Sequence, residues 1–356
     1  MEFIRNLWYA AGWSADIART PVGRTIINDP IVLFRSEAGD IIALSDTCPH
    51  RFAPMHMGKL VGDAIECGYH GLRFNGEGAC VFNPHGGGAT PRSVRLRRYQ
   101  AAEKDSLAWV WMGEDGAGDV ALIPEFPMLS EPDFDYTGSH TMEMPLATDL
   151  IVDNLLDLSH AAYLHPATLG AAPGTKDVTS VTKEGTRIFS NRLIPNSPPA
   201  FVFQATGAAE PTEMVDYWAN MRWDPPGTFA MDAGIVAAGG EKKDGRILSS
   251  VQIVTPSTAT SSYYFWKMYR NYNRDRPELT AAIEAAVVQA FGSEDEPMIK
   301  AVQKRMAGRE FWSLKPLLLA SDNAAVQARR VMAELLERET GPAKERVYAG
   351  ADTAYD

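Results

Sequence analysis

The sequence predicts an α+β fold in two parts: an all-β N-terminal domain, then a larger domain pairing an antiparallel sheet with helices. Three observations predict it. Residues 1–115 hold short apolar or alternating runs separated by Gly, Asp and Asn turns, the pattern of strands and tight connections. A stretch from Glu114 to Asp135, rich in Gly, Pro and Asp, interrupts that pattern. Beyond it, aromatic and β-branched runs are mixed with segments of helical period. The expected limits are 1–115 for the first domain, 116–140 for a connector, 141–345 for the second domain and 346–356 for a loose tail. A chain of 356 residues can build two such cores at ~100–200 residues each.

Taken in order, Ile31–Arg35, Ile41–Ser45 and Leu107–Met112 read as strands of the first domain. Trp218–Trp223, Ser249–Val254 and Tyr263–Met268 suit strands of the second-domain sheet. A helix is expected to open at Asp275, where Asp275-Arg276-Pro277-Glu278 offers an N-cap and a capping-box glutamate. It runs through Ile283, Val287 and Phe291 to a break at Gly292. Ala324–Arg338 reads as an amphipathic helix stopped by Gly341-Pro342. The glycines at 86–88 and 113–118 lack the strand-to-helix setting of a dinucleotide fingerprint.

Composition narrows the function. Lys and Arg total 34 against 45 Asp and Glu, a net charge of −11, which argues against nucleic-acid binding and against an anionic membrane surface. Met1-Glu2-Phe3-Ile4-Arg5 lacks the apolar core of a signal peptide, and no run of ~18 apolar residues occurs. Three cysteines build no disulfide framework, so the cytoplasm is the expected compartment.

Two of those cysteines sit in Cys48-Pro49-His50 and Cys67-Gly68-Tyr69-His70. Two thiolates and two imidazoles from two tight loops can hold a 2Fe–2S cluster, cysteines on one iron and histidines on the other, as in a Rieske centre. Neutral imidazoles raise the potential of such a cluster by hundreds of millivolts over an all-cysteine one. Structural zinc is the rival, but such sites more often pair Cys-x-x-Cys with His-x₃₋₅-His, and here each arm mixes the two types. Cys80 is then left as a small buried hydrophobe. His56, His85 and His140 have no partner spacing and read as surface or loop histidines, with His85 close enough in sequence to pack against the cluster.

A second constellation is Asn154-x-x-Asp157-x-x-His160-x₄-His165. On a helix, 154, 157 and 160 share one face. His165 lies about 140° round from His160 at ~100° per residue, so the two converge only if the helix ends or bulges between them. Pro166 gives a reason for it to end. Two histidines with a carboxylate and open positions form the facial triad of non-haem Fe(II) oxygenases.

With both motifs in this order, the chain resembles the oxygenase components of Rieske non-haem iron oxygenases, and among them the aromatic O-demethylases acting on vanillate or dicamba. The likeness covers nearly the whole chain, including Asn6-Leu7-Trp8-Tyr9, Cys48-Pro49-His50-Arg51-Phe52-Ala53-Pro54, Val152–His160, and Phe265-Trp266 followed by Arg270-Asn271-Tyr272. The resemblance implies a Rieske 2Fe–2S cluster on Cys48, His50, Cys67 and His70. It implies mononuclear Fe(II) on His160, His165 and a downstream carboxylate matched by Asp295, with Glu294 the local rival. It also implies that Asp157 bridges a Rieske histidine of one subunit to an iron-ligating histidine of the next, within a homotrimer, with Asn154 near the iron. Asp232 and Gln252 are candidates, by position in the family pattern, to hydrogen-bond a small aromatic substrate.

The function so implied is a monooxygenase using O₂ and electrons from a separate NAD(P)H-dependent reductase or ferredoxin. Hydroxylating the methyl of an aryl methyl ether gives a hemiacetal that collapses to phenol and formaldehyde. Ring hydroxylation or N-demethylation is the alternative within the family. A pure Rieske electron carrier needs little beyond ~110 residues, so the remaining ~240 speak against it.

Overall fold

The computed structural model describes residues 2–90, 93–170 and 177–341; the expected tail at 346–356 and Pro342 lie outside them. Three small antiparallel sheets make the N-terminal part. Trp8–Trp13 pairs with Leu107–Trp111, which pairs with Ala101–Lys104. Val22–Ile26, Asp29–Arg35, Ile41–Ser45 and Arg98–Tyr99 form the second sheet. The third is a meander of Lys59–Val61, Ala64–Glu66, Arg73–Phe74 and Cys80–Phe82.

One eight-stranded antiparallel sheet carries the C-terminal part. From one edge, Asp135–Tyr136 and His140–Met144 both pair with Ser261–Arg270, followed by Arg246–Thr258, Thr228–Ala237, Val215–Asp224, Arg187–Ser197 and Val178–Glu184. Side chains alternate across such strands, so one face can bury a core while the other takes a different partner. The helices cover one face: Thr148–Leu156 (α1), Ala161–Leu164 (α2), Phe201–Ala205 (α3), Pro277–Gln289 (α4), Glu296–Met306 (α5) and Asn323–Thr340 (α6). Leu150, Leu155, Phe229, Trp223, Val287 and Val331 belong to the core between them and the sheet.

The opposite face meets the N-terminal part. Trp8, Trp13 and Trp109 share a core with Val251, Ile253 and Phe265, and Ile123, Phe126 and Leu129 of the connecting stretch fill it out. Backbone bonds cross the same seam: Ile27 N–H to Pro256 O at 2.9 Å and Asn28 N–H to Ser257 O at 2.8 Å.

Three local expectations are corrected. Asp275 does not cap α4: it adopts a left-handed backbone (φ +58°), its N–H bonds Asp135 Oδ2 at 2.8 Å, and the helix begins at Pro277. Gly292 does not break the helix. A π-helical turn, Ala290–Asp295, carries it without interruption into α5. The third concerns Asp157, which is not on a helix shared with Asn154 and His160. α1 ends at Leu156, because the Asp157 carboxylate bonds the Ser159 N–H at 3.0 Å and hydroxyl at 2.5 Å, a local turn that competes with further helix.

Candidate metal centres and active site

Two loops at one end of the N-terminal part carry the first donor set. Cys48–His50 follows Ile41–Ser45, and Cys67–His70 joins Ala64–Glu66 to Arg73–Phe74. Each loop closes on its own backbone: Phe52 N–H donates to Cys48 O at 2.8 Å, and Gly71 N–H to Cys67 O at 3.0 Å. Gly71 has φ +72°, a conformation that a side chain resists. Both cysteines are buried against Phe34, Met55 and Phe74. The His50 ring is exposed and meets His70 edge-on, centroids 4.5 Å apart. Burial, reinforced by the adjoining Cys67 sulfur, pushes the Cys48 thiol up to about 11. Buried paired sulfurs beneath two outward imidazoles fit a Rieske 2Fe–2S cluster. His85 packs here as well, its Nε2 donating to His70 O at 3.0 Å. His56 instead bonds Asp46 through Nδ1 at 2.5 Å, and His140 stacks on Trp266, so neither joins a donor set.

The second donor set comes from three places in the chain. His160 starts α2, and His165 ends it with φ −118° and ψ 38° just before Pro166, so one short turn separates the two rings by 5.1 Å. The π-helical turn supplies Asp295, 1 % exposed, with Oδ1 at 3.2 Å from His165 Nε2 and 3.6 Å from His160 Nε2. One ligand atom from each of the three lies within 4.8 Å of the others. Asp295 Oδ2 is buried with no hydrogen-bond partner among the described residues. A buried carboxylate oxygen without a donor is costly unless a cation takes it, which fits a facial triad around Fe(II).

Neighbouring groups hold these three in place. Glu294 Oε2 accepts from His165 Nδ1 at 2.6 Å and from Thr168 Oγ1 at 2.8 Å, leaving Nε2 to face Asp295. His160 Nδ1 bonds the Asp157 carbonyl, which likewise turns its Nε2 inward. Asn154 Nδ2 donates to Asp295 Oδ1 at 3.0 Å. Burial opposes a charge on His165, yet its bonds to Asp295 and Glu294 outweigh that and hold its pKa above the ordinary imidazole value. Against its own burial, Glu294 is held below the usual carboxylate range by His165, Thr168 and Gln289. The pocket attracts positive charge. Glu294 orients a histidine, and Asp295 is the carboxylate aimed at both rings.

A cavity of about 120 Å³ opens beside His160, His165 and Asp295. Its walls are mostly apolar, with Leu155, Leu158, Met221, Met231, Val287 and Phe291 prominent. Gln252 lines it and is 5 % exposed; it accepts from Tyr264 Oη at 2.6 Å and donates to Ser250 Oγ at 2.7 Å. Burial pushes the Tyr264 phenol well above its usual pKa, so it stays a donor. Asp232 is elsewhere. Strand alternation points it away from Met231, to the other face, where it accepts from Trp218 Nε1 at 3.0 Å and Asn220 Nδ2 at 3.3 Å and pairs with Lys242. It is a strand partner and does not line the cavity. Arg192, which sequence reasoning missed, does line it.

Comparison with known proteins agrees with both halves. Residues 7–97 match the Rieske [2Fe-2S] domain, and residues 147–338 match the vanillate O-demethylase oxygenase C-terminal domain. The oxygenase component of a chloroacetanilide N-alkylformylase from Rhizorhabdus wittichii is 36 % identical, covering 98 % of this chain and 100 % of that protein. The dicamba O-demethylase oxygenase component of Stenotrophomonas maltophilia is 34 % identical, covering 95 % of this chain and 99 % of its own. A crystal structure of dicamba monooxygenase bound to 3,6-dichlorosalicylic acid superposes with a TM-score of 0.91 at 33 % identity, over 96 % of this chain and 100 % of that one. Among the described residues no helix is long and apolar enough to cross a membrane. Cluster loops, a triad that fits iron and full-length matches together make this chain an oxygenase component of the vanillate O-demethylase family, a Rieske non-haem iron monooxygenase.

Proposed function

We propose that the chain is the terminal oxygenase of an aromatic O-demethylase, converting an aryl methyl ether to a phenol and formaldehyde. The observation that carries this reading is the triad of His160, His165 and Asp295 at the wall of a small apolar cavity. With both metal groups bound, the cluster passes electrons singly and the iron activates O₂ to place one oxygen atom in a C–H bond. One O₂, two electrons and two protons are consumed; the second oxygen leaves as water. A separate NAD(P)H-dependent reductase or ferredoxin delivers the electrons, a reading supported by relatives that are oxygenase components of multicomponent systems.

The chain's own groups position the reactants. Leu155, Leu158, Met231, Val287 and Phe291 take the flat ring and exclude water from it. Gln252, its amide held by Tyr264 and Ser250, has a second N–H left for a substrate acceptor. The volume suits a single ring.

A second reading, N-dealkylation of a neutral anilide, is favoured by the charge of the lining. Arg192, the one arginine or lysine among the described lining residues, is already paired with Asp177, so the remaining polar contacts suit an uncharged amide. Incubation with a matched reductase, NADH and O₂ separates the two. Methoxybenzoates and neutral methoxyphenols form one panel, and N-alkoxymethyl anilides the other. Formaldehyde and phenol from the first panel support O-demethylation. Turnover of the anilides alone, or ring-hydroxylated products that retain the methyl, would replace it.

We further propose a head-to-tail homotrimer in which Asp157 bridges to the cluster of the next subunit. Two observations support it. Asp157 Oδ1 is engaged by Ser159, which leaves Oδ2 for a partner imidazole. Among the described residues no hydrogen bond or ring contact joins the cluster loops to the His160 turn within one chain.

A further inference from the structure

Between the end of α1 and the start of α2, the chain turns through Asp157, Leu158, Ser159 and His160. Its side-chain bonds are local, Asp157 Oδ1 to Ser159 and the Asp157 carbonyl to His160 Nδ1, and its backbone bonds run only to the flanking helices, from Asp157 N–H to Asp153 O at 3.0 Å and from the Tyr163 and Leu164 N–H groups to His160 O at 2.9 and 2.8 Å. A turn bonded only to itself and to the helix ends it joins can pivot with the short α2, and with it would move a ligand of the iron site and Asp157. Among the described residues, one hydrogen bond joins this turn to the sheet. Arg192 Nη1 donates to Leu158 O at 2.9 Å.

Arg192 is built to hold. Its side chain is 8 % exposed, and Nε and Nη2 both donate to Asp177 Oδ2, at 2.9 and 2.5 Å. That fixes the plane of the guanidinium and aims the remaining nitrogen at Leu158. A planar fork can make these bonds at once, whereas an ammonium cannot span both partners in the same geometry. The residue stands on the long strand Arg187–Ser197 and lines the cavity next to Leu158 and His160. Being neutralised by Asp177, it is poorly placed to bind a free carboxylate.

We propose that Arg192 is a positioning residue: it fixes the Leu158 carbonyl and so sets the orientation of His160 at the iron site and of Asp157 beside it. This builds on the assignment of His160 to the iron and needs no particular substrate. The test uses full-length enzyme carrying both metal groups, with nitric oxide as a probe of the Fe(II) site. Arg192→Lys keeps the charge and removes the fork. Its Fe(II)–nitrosyl electron paramagnetic resonance signal should change in rhombicity or split into more than one species, and Fe(II) should leave several-fold faster under chelation. The Rieske signal should be unchanged. Arg187→Lys is the control, since Arg187 lies on the same strand and pairs with Asp224, away from the turn. It should match wild type in every respect. An unaltered nitrosyl signal and iron loss in Arg192→Lys would overturn the proposal, as would equal changes in Arg187→Lys. If Arg192→Lys does not fold, Asp177→Asn loosens the anchor while leaving the Leu158 bond possible. It should shift the signal in the same direction by less, and no shift there also overturns the idea. Loss of the nitrosyl signal altogether in a His160→Ala control distinguishes failure of this proposal from failure of the iron assignment.

Discussion

Asp295 and Glu294 are neighbours with the same functional group and opposite tasks. Asp295 has one buried oxygen without a donor and the other between two imidazoles, whereas both Glu294 oxygens are occupied by His165, Thr168 and Gln289. Asp295→Ala should therefore remove the mononuclear iron, lowering total iron by about one third while the Rieske spectrum persists. Glu294→Gln should retain the cluster and weaken iron binding or turnover by ~10–100-fold, the usual scale for a group that orients a ligand. Iron analysis beside visible spectra reads both, and a reversed order would move the ligand role to Glu294. In the sequence the two were distinguishable only through family resemblance, since any acidic residue suits a helix start. Gln252 and Asp232 were equally ambiguous. Which of them reaches the cavity depends on strand phase, and a shift of one residue inverts it.

At the scale of elements, the iron site depends on helices that do not run regularly. The π-helical turn Ala290–Asp295 inserts one extra residue into what would otherwise be a continuous α4–α5 helix. Deleting Gly292 should restore a regular helix and rotate Asp295 by ~100° relative to α4. The expected result is a protein with normal helix content by circular dichroism and an intact cluster that binds no mononuclear iron. Full iron content in that variant would show that the wide turn is dispensable. The sequence announced an interruption at Gly292, but a break and a π-turn have the same local signature, and only the packing of Phe291 on Tyr264 and Trp266 and the contacts of Asp295 with His160 and His165 select between them.

Asn154 needs α1 held as firmly as Asp295. Arg329 of α6 does this, with Nε and Nη2 on Asp153 at 2.6–3.0 Å and Nη1 on Asp149 at 2.9 Å. Burial opposes the charge on Arg329, but Asp153 and Asp149 outweigh it and raise its pKa. Arg329→Ala leaves two half-buried carboxylates on adjacent turns unpaired, and should destabilise the fold by about 3–5 kcal/mol. Arg329→Lys should lose less, because the charge stays. Denaturant midpoints followed by circular dichroism measure both, and a loss under ~1 kcal/mol for Arg329→Ala would mean that the pairs are effectively solvated. This contact joins residues far apart in the sequence, with no periodicity to reveal it.

For the whole molecule, the shared core of Trp8, Trp13, Trp109, Val251 and Phe265 fixes the two halves against each other. In the proposed head-to-tail ring, the route between the metal centres would be a property of assembly. Cysteine and histidine spacing made both centres legible, because ligands near in sequence must come from tight loops. Assembly left no such local trace. Asp157→Asn keeps size and one acceptor oxygen but removes the charge on the oxygen that would hold the partner imidazole, while the backbone carbonyl that holds His160 is untouched. Both metal centres should fill in this variant while turnover falls steeply. Mixing Asp157→Asn chains with Cys48→Ala chains tests the ring directly. The first kind offers an intact cluster, the second an intact Asp157 beside its iron triad. With equal mixing, about one interface in four places the first kind ahead of the second in the head-to-tail sense. Mixed assemblies should therefore regain a fraction of wild-type activity of that order, well above that of either parent. If subunit exchange is verified by mass and no activity returns, electrons travel within one chain, and Asp157 is a local turn residue and nothing more.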